Sequence, residues 1–316
     1  MLVSRRSFVK GAVAAGAATL APRAEAHEAV EPLPDAVGML YDSTRCVGCR
    51  ACVAACKEAN HLPADPSEFG PDHPEGPADL SATAKTVVQT RAAGGSQALV
   101  KRQCMHCVDP ACVSACMLGA LHKEGRGKRD TGGEVQGTGV VLYDPSLCVG
   151  CRYCQIACAY VAPRFEWRKA FPRIVKCELC HGRRDPSKGD AYAVANPACC
   201  EVCPAGAVIF GYRSALLAEA RRRQAEEPAR YAPKIFGEVD GGGTQVLYLA
   251  GAGVSFKELG FPDLPRESYA RLSERVSHAP YLEGLTPVAL YAAAAFVIRR
   301  QRAAGSHREE NPEEER

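Results

Sequence analysis

Aromatic side chains are scarce in this 316-residue chain, at 7% with a single Trp. A core with so few rings should be small and aliphatic, so something besides apolar burial must help hold the fold, and metal–thiolate bonds can do so. Groupings that make or break bonds are missing too. No acid/base pair of carboxylates, phosphate-cradling loop or nucleophile constellation stands out, which argues against catalysis by this chain itself. A strong charge of one sign is absent: the formal net charge is +3. The basic stretch Arg221, Arg222, Arg223 reads as a solvated helix face, and no nucleic-acid partner is expected. Long apolar runs are also lacking, apart from one near the C-terminus.

What is abundant is cysteine, with 17 residues. Sixteen fall into four runs: Cys46, Cys49, Cys52, Cys56; then Cys104, Cys107, Cys112, Cys116; then Cys148, Cys151, Cys154, Cys158; and finally Cys177, Cys180, Cys199, Cys203. Runs one and three have the spacing C-x2-C-x2-C-x3-C of bacterial ferredoxins. In that pattern three close thiolates wrap one face of a 4Fe-4S cubane. The fourth, a helical turn further on, points away and serves a different cluster. Zinc ribbons also use C-x2-C pairs, but a crowded triplet with a diverging fourth thiolate suits a closed tetrahedral site poorly. Disulfides among so many close cysteines would pair ambiguously.

Because each run lends its last cysteine elsewhere, runs work in pairs. Runs two and three are adjacent, separated by a Gly-rich stretch with Gly132-Gly133 and the strand-like Val140–Tyr143. Runs one and four flank them. The expected ligand sets are Cys46, Cys49, Cys52 with Cys203; Cys56 with Cys177, Cys180, Cys199; Cys104, Cys107, Cys112 with Cys158; and Cys116 with Cys148, Cys151, Cys154. Cys199 is preferred over Cys200 because it lies four residues before Cys203, the interval found in the other runs. With four clusters of about +2 each set against sixteen thiolates, the net charge moves from +3 to about −5.

The fold class expected is α+β: two interleaved ferredoxin-like units. One is built from 38–100 and 160–250 around runs one and four. The other, at 101–159, is inserted and carries runs two and three. Ala215–Gln224 reads as a surface helix, Gly241–Gly243 as a loop and Gln245–Leu249 as an extra strand. His106 should pack or hydrogen-bond near a cluster, while His122 and His181 should lie at the surface. Candidate tuners of cluster potential are Arg45, Arg102, Arg152 and Lys176, each close in sequence to a ligand.

The N-terminus carries Ser4-Arg5-Arg6-Ser7-Phe8-Val9-Lys10, a weakly apolar Ala/Gly stretch and Ala24-Glu25-Ala26. This resembles a twin-arginine (Tat) signal over residues 1–26, the alternatives being a Sec signal or a chance Arg pair. Tat export of folded proteins suits a protein loaded with clusters before it crosses the membrane. Near the other end, Leu285–Ile298 is uncharged and is followed by Arg299, Arg300 and Arg302. Extended back to Ala279, it reaches the roughly 20 residues a membrane span needs, and the arginines orient it with its tail in the cytoplasm. A buried amphipathic helix is the alternative. The tail 303–316 is charged and expected to be disordered.

On the words GMLYDSTRCVGCRACVAAC (38–56), KRQCMHCVDPACVSAC (101–116), CVGCRYCQIAC (148–158), KCELC (176–180), EVCPAGAVIFG (201–211) and GGGTQVLYL (241–249), the chain resembles the HybA-type iron–sulfur subunits of membrane-associated periplasmic nickel–iron hydrogenases. The resemblance implies a non-catalytic subunit that takes electrons from the hydrogenase small and large subunits, where H2 is oxidised. It would pass them to an NrfD-like, quinone-reactive membrane subunit. It also implies a place on the periplasmic face of the membrane, with the unit of runs one and four toward the catalytic partner. The alternative is the beta subunit of a membrane formate dehydrogenase or another molybdopterin oxidoreductase; Pro77–Ala82 is reminiscent of that group, although its beta subunits usually lack a signal of their own. A stand-alone membrane-tethered ferredoxin is a further alternative.

Overall fold

The computed structural model describes residues 30–63, 79–125, 137–167, 172–183, 196–271, 295–297 and 299. The signal read at 1–26, Gly132-Gly133, the tail at 303–316 and most of the anchor read at 279–298 lie outside the described residues. Among the described residues no helix is long and apolar enough to cross a membrane. Contacts divide the chain into two units, 29–273 and the terminal segments 1–28 with 274–316. All seventeen cysteines lie in the first.

The centre of that unit is strand β1 (Val37–Asp42), VGMLYD, buried at every position. An apolar strand buried on both faces belongs in the middle of a sheet, and β1 pairs on both edges. It runs antiparallel to β8 (Val208–Tyr212) and parallel to β9 (Val246–Leu249), with Leu40 opposite both Ile209 and Leu247. β1 leads into run one and β8 follows run four, so one small sheet ties the two ends of the cysteine code together. Gly38 sits where β1 meets β9, and an added Cβ would run into the Gln245 carbonyl oxygen, which accepts a hydrogen bond from Met39 N–H at 3.0 Å. That neighbour is backbone and cannot swing aside. Gly38→Ala should cost roughly 3 kcal/mol, read as a lower denaturant midpoint of the cluster-loaded chain; an unchanged midpoint would refute this packing.

The remaining strands form two-stranded ribbons. β2 (Val87–Ala93) and β3 (Ser96–Arg102) are joined by Gly94-Gly95, at φ 57° and 75°. A two-residue hairpin with positive φ at both turn positions is the geometry that selects glycine pairs. β4 (Leu121–Lys123) pairs with β5 (Val141–Tyr143) and β6 (Arg164–Phe165) with β7 (Ile174–Val175). The helices around the cysteines are short: α1 (Ala51–Ala59), α2 (Ala111–Ser114), α3 (Tyr153–Ala157) and α4 (Ala198–Glu201). α1 packs on α4, and α2 on α3. Run one's helix therefore meets run four's, and run two's meets run three's. Gln245 joins the two halves: its side-chain amide donates to the carbonyls of Val37 and, at 2.8 Å, Thr138, and its oxygen accepts from Lys123 Nζ at 2.8 Å.

Two expectations need correction. The core is not simply aliphatic: the few rings are concentrated, with Tyr41 against Tyr248 (centroids 5.5 Å apart), Tyr248 against Phe261 (4.7 Å) and Phe261 against Phe236 (4.5 Å). The helix read as a surface element is α5 (Arg213–Glu226), and one face of it is buried through Leu216, Ala220 and Arg223. Positions i, i+4 and i+7 share a helix face, so Arg223 turns inward to Asp42 (3.0 Å) while Arg221 and Arg222 remain exposed.

Candidate iron–sulfur sites

In all four runs the residue just before the second cysteine has left-handed backbone: Gly48 (φ 71°), His106 (49°), Gly150 (72°) and Leu179 (50°). This bend curls each C-x2-C pair so that both sulfurs face one side. Glycine adopts it freely, whereas His106 and Leu179 carry a side chain there at a cost of about 1–2 kcal/mol each. Both are fully buried, so packing offsets that cost. His106 Nδ1 accepts the Val141 N–H at 3.1 Å, and burial, with Lys176 and Lys123 nearby, pushes its pKa well below the usual range.

The structure brings the cysteines together across runs. One cavity is lined by Cys46, Cys49, Cys52 and Cys203. Another is lined by Cys56, Cys177, Cys180 and Cys199. In the other half, Cys112 has the Cys158, Cys104 and Cys107 sulfurs as neighbours, and Cys154 has those of Cys151, Cys116 and Cys148. Cys49 and Cys151 are exposed, whereas the second and third sets contain no exposed member.

The donor sets fit 4Fe-4S clusters better than the alternatives. All seventeen cysteines are free thiols. Among the described residues, no three or more His, Cys, Asp or Glu side chains are placed to hold a single metal ion. A tetrahedral zinc site needs its sulfurs about 2.3 Å from one point, but here they ring a cavity. Burial drives the Cys52 thiol up to about 11 and those of Cys56 and Cys154 to about 12. Such groups ionise only when a cationic centre is among them. Beside the third set, the Tyr160 hydroxyl is buried with no hydrogen-bond partner among the described residues, a donor that cluster sulfur could accept from.

The last cysteine of each run also receives a local hydrogen bond to sulfur. The donors are Leu121 N–H to Cys116 (3.5 Å), Ala162 N–H to Cys158 (3.5 Å) and Ala207 N–H to Cys203 (3.2 Å). In run one, α1 continues through Ala59, so the Asn60 backbone N–H goes to the Cys56 carbonyl. The Asn60 side-chain amide takes the N–H role instead, 3.7 Å from Cys56 Sγ. Hydrogen bonds to sulfur of this kind tune a cluster's potential.

In run four, Cys199 lines the second cavity and Cys200 lines neither. The neighbouring Cys200 thiol, against the cost of burial, lowers the pKa of Cys199, and the same contact together with burial raises that of Cys200.

The expected tuners fare unevenly. Lys176 is buried and donates to the carbonyls of Val141 (2.5 Å) and Cys177 (3.1 Å), beside the third set. Arg102 instead donates to Gly260 O at 2.7 Å and stacks over Phe261; Arg152 stacks over Trp167; Arg45 pairs with Asp42 at 3.5 Å. Side chains adjacent in sequence to a ligand need not face it. His122 is exposed, whereas His181 is only partly exposed and meets Glu124 at 3.1 Å.

Sequence reasoning missed two buried lysines. Lys123 donates to the Cys107 carbonyl at 2.8 Å. Lys101, buried in β3, lines both cavities. Burial alone would lower its pKa, but the Cys199, Cys52 and Cys177 sulfurs outweigh this and raise it. An internal repeat was also missed: Tyr41-Asp42-Ser43-Thr44-Arg45-Cys46-Val47-Gly48-Cys49-Arg50 returns as Tyr143-Asp144-Pro145-Ser146-Leu147-Cys148-Val149-Gly150-Cys151-Arg152. In both copies the Asp accepts hydrogen bonds from the backbone and side chain two residues on, at 3.0 and 2.7 Å from Thr44 and 2.8 and 2.6 Å from Ser146.

Cysteines from different runs ringing shared cavities within a mixed α/β fold define an iron–sulfur protein of the ferredoxin class, and residues 96–213 match the 4Fe-4S dicluster domain. The chain is 37% identical to the hydrogenase-2 operon protein HybA of Escherichia coli O157:H7, over 94% of this chain and 95% of that one. With the nitrate-inducible formate dehydrogenase iron-sulfur subunit of Escherichia coli K12, identity is 32% over 67% of each chain. The chain belongs to the HybA family.

Proposed function

We propose that this chain is the electron-transfer subunit of a membrane-bound hydrogenase, linking the small and large catalytic subunits to an NrfD-like, quinone-reactive membrane subunit. The observation that carries this reading is the crossed arrangement of cysteines, taken with similarity to HybA along nearly the whole chain. Four 4Fe-4S clusters, when bound, supply reversible one-electron chemistry. The residues proposed to hold them are Cys46, Cys49, Cys52, Cys203; Cys56, Cys177, Cys180, Cys199; Cys104, Cys107, Cys112, Cys158; and Cys116, Cys148, Cys151, Cys154.

The protein's own part is to hold the ligands, exclude water and fix the surrounding charge. The first and fourth sets reach the surface at Cys49 and Cys151. Exposed apolar side chains flank both: Val47 at one, and Leu147, Val149, Tyr153 and Ile156 at the other. Two sets that reach the surface and two with no exposed member suit a chain that receives electrons at one exposed set and gives them up at the other. Tat export of the loaded protein and a C-terminal helix at 279–298, holding it on the periplasmic face, complete the proposal. The alternative, the iron–sulfur subunit of a formate dehydrogenase, has the weaker support: 32% identity over 67% of the chain against 37% over 94%.

Purifying the tagged full chain from membranes in mild detergent decides between these readings. Co-purifying nickel, and retention of the chain on membranes through a carbonate wash, are expected. Molybdenum in place of nickel would overturn the hydrogenase assignment, retention on membranes with neither metal would point to a stand-alone tethered ferredoxin, and release into the wash would overturn the membrane anchor.

A further inference from the structure

Among the described residues, Lys101 is the one side chain that lines both cavities of the first half. It is 1% exposed. Its ammonium donates to Thr86 Oγ1 at 2.7 Å and to Gln103 Oε1, both neutral groups. Lys85, beside the second cavity, contrasts with it: its charge is matched by Glu178 at 3.5 Å. A buried cation with only neutral hydrogen-bond partners is strongly disfavoured unless negative charge lies nearby. The negative charge available here is that of the two cysteine sets between which Lys101 stands.

We propose that Lys101 is a shared counter-cation for the first and second cysteine sets, stabilising the reduced state of the cluster held by each. The inference rests on the iron–sulfur reading. Each electron added to a cluster puts one more negative charge beside this fixed positive one, and a low-dielectric wall screens the attraction little. The third and fourth sets lie in the other half, where Lys123 and Lys176 accompany the third. Removing Lys101 should therefore lower the reduction potentials of two clusters and leave the other two in place.

The test is an EPR-monitored redox titration of the cluster-loaded full chain. Iron content and EPR of the wild type come first and test the iron–sulfur reading separately: a wild type without four clusters sinks that reading, whatever Lys101 does. For Lys101→Met, the expected result is that two of four midpoints move to lower potential, while Lys101→Arg keeps all four near wild type. Four unchanged midpoints, a uniform shift of all four, or an equal shift in the Arg variant would overturn the proposal. Should Lys101→Met fail to load iron, Lys101→Gln, which retains a donor toward Thr86, provides the same readout. Loss of iron from both neutral variants with full loading of Lys101→Arg supports the charge role, and loss from all three overturns it.

Discussion

Replacing Cys199 by Ser should remove one of the four proposed clusters, about a quarter of the bound iron, whereas Cys200→Ser should load fully. The two residues are neighbours on α4, and only their direction separates them. Cys199, 5% exposed, turns into the cavity shared with Cys56, Cys177 and Cys180; Cys200 packs beside it and lines neither cavity. Cys200→Ala should keep the iron as well, because Cys200 lines neither cavity. Iron analysis with EPR spin counting reads all three variants. Full iron in the Cys199→Ser chain would reverse the assignment.

Asp42→Ala should be the most damaging substitution among the charged residues, costing about 3–5 kcal/mol. Its carboxylate is fully buried at the end of β1 and accepts from Arg223 at 3.0 Å, Tyr231 at 2.9 Å and both Thr44 donors. Truncation leaves the Arg223 guanidinium buried with Glu219 as its remaining carboxylate, and frees the turn that leads into Cys46. Guanidinium unfolding of the cluster-loaded chain measures the loss. Asp144→Ala is the internal control, because it breaks the same turn ahead of Cys148 at a partly exposed position with no buried cation to strand. Equal losses from the two substitutions would show that the turn, rather than the ion pair, carries the stability.

The cysteine code was legible because its information is local. Close thiolates must curl round one centre, and a cysteine one helical turn on must face another. Lys176 was legible beside a ligand, but the roles of Lys101, Arg102 and Arg223 were not, because they depend on direction. Lys101 and Arg102 are consecutive on β3, and successive strand residues point to opposite faces. Lys101 accordingly enters the cavity wall and Arg102 leaves it for Phe261. By sequence, Lys101 belongs to run two and the third set; the β2–β3 hairpin returns it instead to the first and second. The same logic turned Arg223 inward from a stretch read as solvated.

The sequence by itself determined the chemistry this protein can do: the donor type, the number of donor groups and the crossing of runs follow from which residues stand at which short intervals. Tertiary structure alone decided what surrounds those donors. The buried counter-charge at Lys101 and the Asp42–Arg223 pair separated by 181 residues depend on long-range packing and side-chain direction. Ligand spacing is a property of a short stretch of backbone. The electric field at a ligand sums over whatever the fold brings near it, and no local interval encodes that sum.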